Sequence, residues 1–242
     1  MLYIPYYYYN FDWTYLFLVL PCFLLSLWAS ASVNSTFKKY SNQLSQRRIT
    51  GAQAAQRVLS TNGVSNVRIE RVGGNLTDHY DPKANVIRLS DSVYDSTSTA
   101  AIGVACHEAG HAVQYAQKYF PIHIRAAIVP ITNFGSRLAM PLILLGLLLT
   151  SLGSFSTTII YIGIACFGLT FVFQLVTLPV EFNASRRAME AIENAELLTN
   201  DERRGARKTL TAAAMTYLAA TAVSLAQLIR LISLFGNRRR SD

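Results

Sequence analysis

Four apolar runs constrain this chain more than any other feature. They are Phe11–Val33, Leu138–Gly153, Thr157–Pro179 and Leu210–Phe235. A helix needs about 20 mainly apolar residues to cross the hydrocarbon of a bilayer. The first, third and fourth runs have that length, and the second reaches it when extended back over Ile131–Arg137. Ser151–Ser156 joins the second and third runs with no charge at all, which predicts a transmembrane hairpin. Charged residues make up only 15% of the 242, against about 25% in an ordinary soluble domain. The four runs are therefore read as membrane-spanning or membrane-packed helices, and a multi-pass integral protein of the plasma membrane is expected.

The charges give the runs a direction. Net charge is +8, and positive residues favour the cytoplasmic side of a span. Residues 1–12 hold no Lys or Arg. Lys38, Lys39, Arg47 and Arg48 follow the first run, and Arg137 precedes the second. The N-terminus is expected outside and residues 34–137 inside, with 138–153 going out and 157–179 returning. The Arg-rich stretch 181–209 then emerges on the same side as 34–137. No positive charge precedes the first run, so 13–32 reads as an uncleaved span rather than a signal peptide. Tyr3 and Tyr6–Tyr9 suit the aromatic belt at a membrane interface. The run 210–235 contains Gln227 and Arg230 and leads to Arg238–Arg240. Crossing is favoured, although it places this basic tail outside; lying along the membrane or packing on the catalytic region is the alternative. The Lys and Arg do not gather on one stripe, so nucleic acid is not an expected partner. Cys22, Cys106 and Cys166 are odd in number and far apart, which indicates neither a disulfide framework nor a Cys metal site.

The polar stretch carries the chemistry. Thr50–Leu59 reads as a capped helix ending at Asn62-Gly63. Val67–Glu70 and Asn85–Ser90 read as strands, with Gly73-Gly74-Asn75 as a turn and Asp78–Pro82 as polar connection. Thr97, Ser98 and Thr99 offer N-caps to a helix that contains His107-Glu108-Ala109-Gly110-His111. Residues four apart share one helix face, so His107 and His111 can aim at one point. Two neutral imidazoles at that spacing suit Zn²⁺, and Glu108 is placed to take a proton from an attacking water. This reads as the core of a zinc-dependent peptidase. The strand just ahead of the helix is expected to rim the cleft, where a substrate backbone could add as a further strand.

A catalytic zinc usually has three protein ligands. Gln114 and Gln117 stand where a second downstream His could lie, and His123 has no supporting pattern. Glu181 is the best candidate, at an expected helix start just after the hairpin and on the motif's side of the membrane. Its other reading is a carboxylate complementing a helix N-terminus. Glu190, Glu193 and Glu196 read as solvated partners of nearby Arg.

Leu76–Pro82, His107–Gln114 and Leu178–Ala188 together closely resemble the neutral zinc metallopeptidase family of bacterial membrane proteins, from about residue 34 onward. The wider similarity is to membrane gluzincins. That resemblance implies His107, His111 and Glu181 as zinc ligands and Glu108 as general base. One position departs from the family's pattern: Asn183 stands where Asp is common, which removes a charge that would help to orient a ligand.

The expected fold is a mainly α membrane protein, with transmembrane helices plus a small α+β zincin-like catalytic domain. Residues 1–33 form an interfacial segment and a span. Residues 34–137 form the cytosolic catalytic region and 138–179 the hairpin. Residues 180–209 form a helical segment carrying the third ligand, and 210–242 an apolar helix with the basic tail. The expected activity is hydrolysis of peptide bonds in a peptide or protein substrate, membrane proteins among them, by zinc-activated water. His79, Tyr80 and Arg186 are candidate oxyanion donors; otherwise the first two shape a turn and the third binds headgroups or a carboxylate. The alternative is a non-catalytic membrane scaffold stapled by zinc. A channel is disfavoured, because the runs offer no path of charged residues.

Overall fold

The computed structural model describes residues 12–236, so the expectations for Tyr3, Tyr6–Tyr9 and Arg238–Arg240 lie outside the described residues. The molecule is mainly helical. A π-helical turn, Tyr15–Val19, leads into α1, Leu20–Ser41. Helix α2 spans Gly51–Thr61; Thr50 and Gln53 exchange side-chain-to-backbone hydrogen bonds at its start and close a capping box. Three short strands follow: β1 Arg68–Val72, β2 His79–Asp81 and β3 Val86–Ser90. Then come α3 Thr99–Ala116, α4 Phe120–Leu148, a 3₁₀ turn Thr150–Leu152, α5 Ser154–Asn194 and α6 Asn200–Phe235. Of the three candidate caps for α3, Ser98 does the work: its hydroxyl accepts from the Ala101 N–H at 3.2 Å.

Among the described residues, four helical stretches are long and apolar enough to cross a membrane: Tyr15–Ser41, Phe120–Leu148, Ser154–Asn194 and Asn200–Phe235. Their outward faces carry large apolar side chains such as Phe17, Phe134, Leu148, Phe155 and Ile232, all exposed. Such a surface suits lipid and would be a liability in water. Between them, Ile143, Ile160, Ile164 and Leu231 form an apolar cluster that joins α4, α5 and α6. The α4–α5 hairpin turns at Gly153, whose φ of +57° favours a residue without Cβ.

Two expected boundaries change. The hairpin's first arm begins at Phe120 rather than 138, and Pro130 and Pro141 lie inside it without ending it. The second arm continues through Pro179 to Asn194. Glu181 therefore sits in mid-helix, not at a helix start, and the stretch 180–209 is divided between α5 and α6. A helix interrupted by proline loses a backbone hydrogen bond, but in an apolar setting the rest of the backbone still has to be paired within the helix. Pro179 punctuates the sequence without breaking the helix.

The sheet also corrects an expectation. Its order is β1-β3-β2, with β1 parallel and β2 antiparallel to β3. Strand β3 is central and has no free edge for a substrate. The outer position on the side of the site belongs to His79–Asp81, read above as a polar connection. Three residues are too few to show a period of two, and the pairing of His79 with Arg88 and Asp81 with Val86 is what makes them a strand.

The larger apolar core packs α2, β3 and α3 together. Ala54, Ala55, Val58 and Leu59 meet Ile87 and Leu89, and Ile102, Ala105, Cys106 and Ala109 of α3, all buried. Burial of the Cys106 thiol in this apolar core pushes its pKa far up, so it stays an inert thiol. Helix α6 lies along α1. Near the end of α6, Arg230 Nε donates to Asp12 Oδ2, ahead of the π-helical turn, at 2.6 Å, and the guanidinium stacks 5.3 Å from the Tyr15 ring centroid. This pairing accounts for the one Arg in the last apolar run.

Candidate metal centre

His107 and His111 project from one face of α3, as their spacing requires. Helix α5 brings Glu181 to them. Its Oε2 lies 3.2 Å from His107 Nε2 and 3.5 Å from His111 Nε2. All three donor atoms fall within 4.8 Å of one another. Zinc takes such ligands at about 2.0–2.1 Å. The edges of a tetrahedron of that radius are about 3.3–3.4 Å, and the two separations from Glu181 Oε2 fit such an edge.

The helices meet closely for a specific reason. A Cβ placed on Gly110 would lie 2.9 Å from the Ala184 carbonyl oxygen. Only glycine lets α5 approach near enough for Glu181 to reach the two imidazoles.

The remaining ring nitrogens are held from outside. Arg187 can only donate, so it fixes Asn183 with Oδ1 toward its Nε, at 2.7 Å. The same Oδ1 accepts from Gln114 Nε2 at 2.9 Å, and the Val180 carbonyl accepts from that nitrogen at 2.8 Å. Gln114 must therefore present Oε1 to His111 Nδ1, 3.0 Å away. That contact requires a proton on Nδ1 and turns Nε2 to the centre, the tautomer a metal needs. Ser185 Oγ lies 3.2 Å from His107 Nδ1 and holds the other ring in place, as donor or acceptor. Glu181 and Ser185, four apart on α5, share the face that meets His107.

The electrostatics agree with the geometry. Burial works against a charged His111, but the hydrogen bond and negative charge of Glu181 outweigh it and hold the pKa above its ordinary value. The same negative charge of Glu181 favours a cation beside the two imidazoles. Arg125, on α4, contacts the other Glu181 oxygen, Oε1, at 3.1 Å. One carboxylate oxygen is thus engaged by Arg125, and the second faces the imidazoles.

Glu108 is buried beside His107 and lines a cavity of about 360 Å³ with His107, His111 and Glu181. His79, Lys83, Tyr115, Arg125 and Tyr217 line it as well. Asp78, at its edge, accepts from the Ser90 N–H and hydroxyl at 2.7 and 2.9 Å. Burial raises its pKa despite those two bonds.

The sequence candidates divide. His107, Glu108, His111 and Glu181 come together. His79 and Tyr80 line the cavity on β2, but the Tyr80 hydroxyl donates to Asn85 Oδ1 at 2.7 Å. Arg186 lies outside the cavity, exposed and 3.8 Å from Glu190, because its position on α5 faces away from α3. Gln114, Ser185, Arg125 and Tyr217 were missed. Gln114 carried a signal, three residues after His111 on the same helix face. Arg125 and Tyr217 carried none, since their helices reach the site only through the tertiary fold.

A donor set of two imidazoles and a carboxylate, with each imidazole held through its outer nitrogen, belongs to a zinc peptidase class. The chain is a member of the family described as "Putative neutral zinc metallopeptidase", which matches residues 15–236. Among curated proteins, "Putative membrane protease YugP" of Bacillus subtilis (strain 168) is 45% identical over 225 residues, covering 93% of this chain and 98% of the relative. No solved structure matches.

Proposed function

We propose that this protein is a membrane-embedded zinc metalloendopeptidase of gluzincin type, with a zincin-like catalytic region on the cytoplasmic side. The observation that carries the reading is the placement of Glu108 beside a converged His107–His111–Glu181 donor set. When bound, zinc supplies the positive centre that makes water nucleophilic near neutral pH and polarises the scissile carbonyl. His107, His111 and Glu181 hold it. Glu108 takes the proton of the attacking water and returns it to the leaving amine. Among the residues lining the cavity, His79, Arg125 and Tyr217 are candidate donors to the developing oxyanion. Tyr80 is a weaker one because its hydroxyl already donates to Asn85. The outer edge of β2 lies along the cavity, and an extended substrate pairs there as an added strand. Peptides and proteins, those of the membrane included, are the proposed substrates.

The test is zinc content and peptide cleavage by purified wild type, Glu108→Gln and Glu181→Ala. Glu108→Gln should keep zinc and lose cleavage by about 10²–10⁴-fold. Glu181→Ala should lose most of its zinc. Full activity in Glu108→Gln would overturn the mechanism, and zinc without cleavage in any form would favour the scaffold.

A further inference from the structure

A second cavity, of about 140 Å³, shares His107 and Glu108 with the first. Its character differs from the first. Val33 and Phe37 of α1, Leu76, Val104 of α3, and Leu210 and Ala213 of α6 supply its walls. Of its polar residues, His107, Glu108 and Tyr217 form the end it shares with the larger cavity, and Asp78 and Thr209 are already engaged. Asp78 is bonded to Ser90, and the Thr209 hydroxyl donates back to the Gly205 carbonyl at 3.0 Å. What faces an occupant is therefore mostly hydrocarbon, whereas the larger cavity carries His79, Lys83 and Arg125. Position adds a second constraint. Val33 ends the first apolar run and Leu210 begins the last, so the cavity lies where two candidate spans meet the polar region.

Resting on the peptidase reading above, we infer that this cavity is a specificity pocket for one apolar side chain directly beside the scissile bond. Its continuity with Glu108 requires an occupant attached to the reacting peptide. Its lining selects an aliphatic group of the size of Leu, Ile or Met, and its depth suits a substrate segment at the membrane boundary. An acidic residue brought there would lose its hydration with no cation in the wall to replace it.

Two measurements on the full-length protein in detergent test this. The first is kcat/KM of zinc-loaded wild type, Ala213→Phe and Leu210→Ala on a peptide set that varies the residues flanking the cleaved bond among Gly, Ala, Leu, Met, Phe and Asp. The second is binding of the same peptides to zinc-loaded Glu108→Gln by fluorescence anisotropy. Wild type should prefer Leu and Met over Asp at one flanking position by tenfold or more, in line with about 10–200-fold per methylene-sized change in a closed apolar pocket. Ala213→Phe should shift the preference to Gly and Ala with zinc content unchanged. Leu210→Ala should admit Phe. Cleavage with no apolar preference, or a profile that neither variant moves, overturns the pocket and leaves the peptidase standing. Binding that follows the predicted preference in Glu108→Gln, without cleavage by wild type, keeps the pocket and overturns the peptidase. Neither binding nor cleavage overturns both.

Discussion

At the scale of single residues, the centre depends on groups that never touch the metal. Gln114 is fully buried, and its two ends are committed: the amide nitrogen to Val180 and Asn183, the oxygen to His111. Gln114→Leu keeps much of the volume and removes all three bonds. It should weaken zinc binding about 10–100-fold, measured by competition with a chelating dye. Asn183 acts one step further out, through Gln114. Its role there needs only an acceptor oxygen, which Asn and Asp share. Asn183→Asp should strengthen the bond from Arg187 by adding charge. The expected result in the same assay is equal or somewhat tighter zinc binding. A marked loss would show that the amide nitrogen of Asn183 has a function of its own.

At the scale of elements, the site is a contact between α3 and α5, and Gly110 sets its distance. Gly110→Ala pushes a methyl into the Ala184 carbonyl, a backbone group that cannot turn aside. The variant should lose about 1–3 kcal/mol of stability, seen as a lower Tm in detergent, and should also bind zinc more weakly. The reverse control is Ala109→Gly, on the buried core side of the same helix. It removes a methyl without separating α3 from α5, so it should cost stability while leaving zinc affinity nearly unchanged. The continuity of α5 matters as much. One helix carries both a candidate span and Glu181, so the proposed third ligand is rigidly coupled to that span.

At the scale of the whole molecule, α6 packs against α1, and Arg230 ties it to Asp12, just ahead of the π-helical turn. Removing Asp12 leaves a cation in an apolar helix without its partner, which costs more than losing the pair outright. Asp12→Asn should therefore lower thermal stability more than the double variant Asp12→Asn/Arg230→Leu. The opposite order would mean that water or headgroups already solvate Arg230. The proposed orientation is read by reporter fusions. A cytoplasmic reporter inserted between α5 and α6, at residues 196–198, should be active. One inserted at Ser151–Gly153, at the hairpin turn, should not. Reversal of both would place the metal centre outside.

Much of this was legible in the chain before folding. Apolar runs near 20 residues long specify membrane helices because unpaired backbone is too costly in hydrocarbon, and that depends on length and composition alone. His107, Glu108 and His111 were equally legible, because a helix puts residues four apart on one face whatever surrounds it. Glu181 could be reached by counting ligands and by topology, although not its place within an unbroken α5. The rest was decided in three dimensions. The short strand His79–Asp81 exists only through its pairing with β3, and the roles of Arg125, Tyr217 and the apolar pocket arise where distant helices converge. A sequence sets local periodicity, but contacts between residues far apart in the chain are fixed only when close packing brings the elements together.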